Sequence, residues 1–78
     1  MESFGARVKK ELQNQGKLQK ELCSFLNVKK STLSEWLNDN NEPSIKYIVQ
    51  IAIYLDVTTD YLLGLENYDG TRKSNFSD

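Results

Sequence analysis

Residues 18–37, Leu18-Gln19-Lys20-Glu21-Leu22-Cys23-Ser24-Phe25-Leu26-Asn27-Val28-Lys29-Lys30-Ser31-Thr32-Leu33-Ser34-Glu35-Trp36-Leu37, decide the fold. Leu18, Leu22 and Leu26 recur every fourth residue with Cys23 and Phe25 beside them, and Leu33, Trp36 and Leu37 follow at i, i+3 and i+4. Both spacings are the helix period. Asn27 stands between them and tolerates the left-handed backbone that a tight turn needs, so the first helix ends near it. Val28 returns to the core, and a second helix of about two turns begins around Lys30.

Working outward, Phe4, Val8 and Leu12 make one stripe, which predicts a helix from about Glu2 to Gln15 that stops at Gly16. Asn38 to Glu42 holds no apolar residue and reads as a loop; Pro43-Ser44 then signals a helix start, with Ser44 as N-cap. That helix, Ile45 to about Leu55, is expected to bury Ile45, Ile48, Ile51, Ala52 and Leu55. Thr58 as N-cap, with Asp60 in the first turn, opens a fifth short helix filled by Tyr61, Leu62 and Leu63 and closed by Gly64. The stretch from Glu66 to Asp78 is polar and aperiodic and reads as a mobile tail. The expected architecture is all-α: one five-helix domain over residues 1–65 and a tail over 66–78.

Composition narrows the chemistry. A chain of 78 residues and 9.0 kDa supports one small core. It has no histidine and a single cysteine, Cys23, which removes histidine acid/base catalysis, Cys/His nucleophile pairs, Cys/His zinc sites and internal disulfides. No cofactor or metal is expected, and no enzymatic activity. The loop Asp39-Asn40-Asn41-Glu42 lacks the glycine and closing glutamate of a calcium loop. The start, Met1-Glu2-Ser3-Phe4-Gly5, carries no apolar signal stretch, and no run approaches membrane-spanning length, so a cytoplasmic protein is expected.

The net charge of −1 hides an asymmetry. Residues 1–38 hold seven basic groups against four acids, and residues 39–78 hold three against seven. Such a chain can present one face to phosphate while the other repels it.

Two short helices joined at Asn27-Val28-Lys29, inside a five-helix domain, form a helix-turn-helix arrangement. The runs Gln19-Lys20-Glu21-Leu22-Cys23, Leu26-Asn27-Val28, Ser31-Thr32-Leu33-Ser34-Glu35-Trp36, Pro43-Ser44-Ile45, Ile51-Ala52, Leu55-Asp56-Val57-Thr58 and Asp60-Tyr61-Leu62-Leu63-Gly64 closely resemble the phage repressor and Cro family of helix-turn-helix regulators. The resemblance covers roughly residues 4 to 65. It implies sequence-specific binding of double-stranded DNA and transcriptional regulation, as a repressor of phage or mobile-element type. It further implies a homodimer on a pseudo-palindromic operator.

Carried over residue by residue, the resemblance puts Lys30, Ser31 and Glu35 at base edges, with Thr32 and Ser34 flanking as base or sugar-phosphate contacts. Lysine can donate to guanine O6 and N7, serine to several edges, and glutamate can accept from cytosine N4. Gln19 falls where a side-chain amide and backbone N–H groups hold a phosphate, and Asn38 and Asn41 are further phosphate candidates. Cys23 occupies a position where the family usually has alanine, and reads as a small packing residue.

Lys29 and Lys30 support this on physical grounds. Cations at a helix N-terminus oppose the macrodipole by about 0.3 to 1 kcal/mol each, a conflict that a bound anion removes. The alternative is that Asn27 or a backbone turn caps the helix and both lysines point to water. Two departures from the family stand out: Lys17-Leu18 replaces the usual apolar residue and polar cap before Gln19, leaving the helix start open, and the loop after the reading helix carries no cation. Tyr47, Ile53 and Tyr54 read as partly buried edges of the core; the alternative is that Ile53 or Tyr54, with Tyr61, Leu65 and Tyr68, belongs to a dimer or partner surface. The rival reading is a protein-interaction module, an antitoxin or co-regulator that uses this fold mainly to hold a partner protein.

Overall fold

The computed structural model describes residues 2–65; the expected tail and Tyr68 lie outside the described residues. Five helices follow one another with no strand among the described residues: α1 (Phe4–Asn14), α2 (Gln19–Leu26), α3 (Lys30–Leu37), α4 (Ile45–Leu55) and α5 (Thr59–Leu62). Each turns its apolar stripe inward. Val8 and Leu12 meet Leu22 and Leu26, Leu33, Trp36 and Leu37, Ile51, Ala52 and Leu55, and Tyr61 and Leu62 in one buried cluster. Cys23 packs against this cluster half-buried, the packing role its small size fits. Tyr47 stacks on Trp36 with ring centroids 5.1 Å apart.

All five helices end the same way. Gly16, Asn27, Asp39, Asp56 and Gly64 each adopt positive φ just past a helix. Each donates its N–H three residues back while the next residue reaches five back, as in Val28 N–H to Cys23 O (3.2 Å) and Leu65 N–H to Asp60 O (2.7 Å). This is the Schellman pairing, which satisfies carbonyls a helix end would otherwise orphan. Val28, Val57 and Leu65 follow the turn residue of α2, α4 and α5 and are half-buried. Gly16, Asn27 and Gly64 are the turn residues expected from the sequence; Asp39 and Asp56 are two more that carry no such signal there.

The start of α1 is held by the end of α3. Ser3 caps α1 by accepting from the Ala6 N–H (3.2 Å) and donates its hydroxyl to Asp39 (2.6 Å). The same carboxylate accepts from the Gly5 N–H (3.0 Å). Gly5 permits this approach, since a Cβ there would sit 2.1 Å from the Leu37 carbonyl oxygen. At the far side of the molecule, Lys17 donates to Tyr54 O (2.8 Å) and Gln15 to Leu55 O (2.7 Å), so the α1–α2 connection caps the last carbonyls of α4.

Several expectations need correction. Ile45 is 78% exposed, because the first residue of α4 precedes the turn that faces the core, and Leu63 is half exposed just beyond α5. Tyr61, expected on a partner surface, is buried, with its hydroxyl donating to Glu11 (3.2 Å). Tyr54, like Tyr47, is the expected partly buried edge of the core, half-buried against Phe25 with centroids 5.0 Å apart and beneath the Lys17 ammonium. Ser44 takes the N-cap backbone position of α4 without a side-chain hydrogen bond.

Gly5→Ala is expected to cost stability toward the upper end of about 1–3 kcal/mol, because backbone must move to admit the methyl group. Gly16→Ala meets no atom within 4 Å and costs only the left-handed strain, about 1 kcal/mol. Urea unfolding of both variants checks the order.

The hydrogen bonds from Ser3 and Gly5, helped by the nearby Lys9, hold the Asp39 carboxyl below the usual aspartate pKa. The folded chain therefore binds fewer protons than the unfolded one in the acid range; this contribution is complete above the ordinary aspartate value and is lost as pH falls from there through the lower folded-state value. Asp39→Asn should lower the unfolding midpoint at pH 7. The gap from the parent chain should begin to narrow near the ordinary aspartate value, about pH 4, and close only below the folded-state value.

Candidate nucleic-acid interface

The apolar positions of α3 dictate its outer face. With Leu33, Trp36 and Leu37 buried, the residues left outward are Lys30, Ser31, Ser34 and Glu35, all exposed, with Thr32 half-buried at the edge. Lys30 and Ser34 stand four apart, as do Ser31 and Glu35, so the face carries two adjacent columns along the helix. The structure thus brings all five expected α3 candidates onto one surface.

Both helices of the turn begin without an N-cap side-chain hydrogen bond. Lys29 takes the N-cap position of α3 in extended conformation, and Leu18 that of α2. Asn27 ends α2 in the left-handed turn and does not cap α3. The first intrahelical bond of α3 runs from Leu33 N–H to Lys29 O (3.1 Å), which leaves first-turn N–H groups pointing out beside two exposed lysines. In α2 the Glu21 carboxylate reaches back to the Leu18 N–H (3.0 Å), which fixes the helix start at Gln19, itself exposed. Backbone donors and a positive dipole end, near Gln19 in α2 and near Lys29 and Lys30 in α3, can bind oxyanions.

At the other end of α3 the candidates are wired to one another. Lys9 of α1 donates to Asn38 (3.2 Å), whose amide donates to the Ser34 hydroxyl (3.3 Å). Asn41 donates through Nδ2 to Glu35 Oε1 (3.2 Å). Lys9 was not singled out from the sequence; its place four residues before Gln13 on an exposed stripe carries no signal of contact with residue 38. Of the remaining candidates, Ile53 is 67% exposed and Leu65 half-buried.

No group of three or more metal-binding side chains occurs among the described residues, and no helix there is long and apolar enough to cross a membrane. The outer face of α3 carries hydroxyl, ammonium and carboxylate groups, with the Asn38 and Asn41 amides at its end and cations at its start.

A curated relative, the HTH-type transcriptional regulator ImmR of Bacillus subtilis (strain 168), is 34% identical over 76 residues, which is 97% of this chain and 58% of that protein. This chain therefore spans a little over half the length of that relative. In fold it is similar to the P22 c2 repressor protein, solved in complex with synthetic operator 9T in the presence of Tl+, with a TM-score of 0.74 at 22% identity over 81% of this chain and 96% of that one. The family model described as Helix-turn-helix matches residues 8–62, and the chain belongs to that helix-turn-helix family.

Proposed function

We propose that this chain binds double-stranded DNA in a sequence-specific manner and regulates transcription as a repressor, with α3 in the major groove. The observation that carries the reading is the outward face of α3, whose uncapped, lysine-bearing N-terminus leads into Ser31, Ser34 and Glu35. The ImmR relative and the operator-bound P22 c2 repressor support it by similarity. In this reading Lys30, Ser31 and Glu35 meet base edges, Thr32 and Ser34 flank them, and Gln19, Lys29 and Asn38 hold phosphates.

The near-neutral total charge does not oppose this. Non-specific attraction depends on cations placed at phosphates, and the basic groups lie in the first half of the chain. A homodimer on a pseudo-palindromic operator belongs to the same reading, with Ile53 as the most exposed of the interface candidates. A protein-interaction module is the second reading. The exposed apolar residues Ile45, Val49 and Ile53, spaced four apart on α4, favour it.

Selection from a randomised duplex pool separates the two, since an interaction module enriches no sequence. On the selected duplex, Lys30→Ala should lose about 1–3 kcal/mol and relax preference at one base pair. Affinity lost equally on all sequences, with the salt slope lowered by about one, would instead place Lys30 on a phosphate. Gln19→Ala should weaken selected and random duplexes by similar factors, because phosphate contacts position the protein without reading sequence. A change of base preference in Gln19→Ala would contradict the placement of α2.

A further inference from the structure

The resemblance implies a phosphate contact for Asn41; in the fold its side-chain amide donates to Glu35. Two features of the chain produce this. Asp39 takes the left-handed conformation (φ 60°) just past α3, and the Asn40 N–H closes back on Glu35 O (2.9 Å). That turn folds the following residue over the last turns of α3, where the Asn41 N–H also approaches Glu35 O (3.4 Å) and Nδ2 reaches Oε1 (3.2 Å). One residue thereby grips both the backbone and the carboxylate of Glu35. The turn itself is anchored, because the Asp39 carboxylate is held by Ser3 and Gly5 of α1.

An ionised glutamate is an acceptor only, with two oxygens on a chain of three rotatable bonds. Unrestrained, it accepts from cytosine N4 when that donor is present. When thymine O4 or guanine O6 stands there instead, it swings aside and escapes the repulsion. With Oε1 held by Asn41, the carboxylate is directed and Oε2 is left to meet the base. Acceptor then faces acceptor at the wrong base, and the mismatch is felt. Discrimination arises from this rejection as much as from attraction.

We propose that Asn41 is a positioning residue that fixes Glu35 as a directional acceptor for an exocyclic amino group, cytosine N4 foremost, and so sets base specificity without contacting DNA. This rests on the reading of α3 as the helix that enters the major groove.

The test uses the full chain and a duplex selected from a randomised pool. Asn41→Ala should lower discrimination at one base pair by about fivefold, the weight of one hydrogen bond, and leave affinity for random duplex unchanged. Glu35→Ala should relax the same base pair, and the double variant should be no worse than Glu35→Ala alone. In the free protein, the Asn41 side-chain amide resonance should shift on Glu35→Ala. Uniform loss of affinity in Asn41→Ala, additive with Glu35→Ala, would return Asn41 to a phosphate and overturn the inference. Unchanged base preference in Asn41→Ala on a duplex the parent chain selects would overturn it while leaving the DNA reading intact. A pool in which the parent enriches no sequence would remove both.

Discussion

The left-handed turn at Asp39 is the constraint on which the placement of α3 depends. Its backbone ends the helix, its carboxylate seizes Ser3 and the Gly5 N–H, and the chain beyond it is handed back to Glu35. Gly5 against Leu37 O completes the joint, since no larger residue fits. The end of α3 is therefore tied to the start of α1 by polar groups, while Leu33, Trp36 and Leu37 tie its inner face to the core. A helix fixed both at its end and along one side presents its other side in a defined orientation. That is what a reading surface requires.

The same turn changes the meaning of the acidic loop. As a string of letters, Asp39-Asn40-Asn41-Glu42 looks like a patch that repels phosphate. In the fold, the Asp39 charge faces the N-terminus of α1 and two donors, with Lys9 nearby, and Asn41 serves Glu35. The loop stays exposed, but two of its four side chains are bonded to groups that hold the helix. The lysines, by contrast, stand exposed at the leading end of α3, where the helix dipole adds to their charge.

The fold was largely legible because the apolar residues of α1, α2 and α3 keep a strict helix period, and because Gly16, Asn27 and Gly64 are residues that favour the left-handed turn. Asp39 and Asp56 were less legible, since aspartate visits that conformation less readily than glycine and is equally at home in ordinary turns and helix starts. Ile45 misled because the spacing fixes a residue's angle on the helix but not whether the core reaches as far as the helix's first residue. Tyr61 misled for another reason: its ring reads as surface until Glu11, fifty residues away in sequence, is seen to accept its hydroxyl. At the candidate site, the outward positions 30, 31, 34 and 35 follow as the complement of the buried ones. The links from Lys9 to Asn38 and from Asn41 to Glu35 do not, because they depend on how α1 and the α3–α4 turn are set against α3.

The central claim is that the leading ends of α2 and α3 and the outer face of α3 form the DNA surface. Titration of the isotope-labelled chain with a selected duplex, followed by backbone amide resonances, tests it most directly. The account predicts that the largest shifts fall on Gln19, Lys20 and residues 30–35, with α4 and α5 little changed. Shifts concentrated on α4, around Ile45, Val49 and Ile53, with residues 30–35 unmoved, would contradict it.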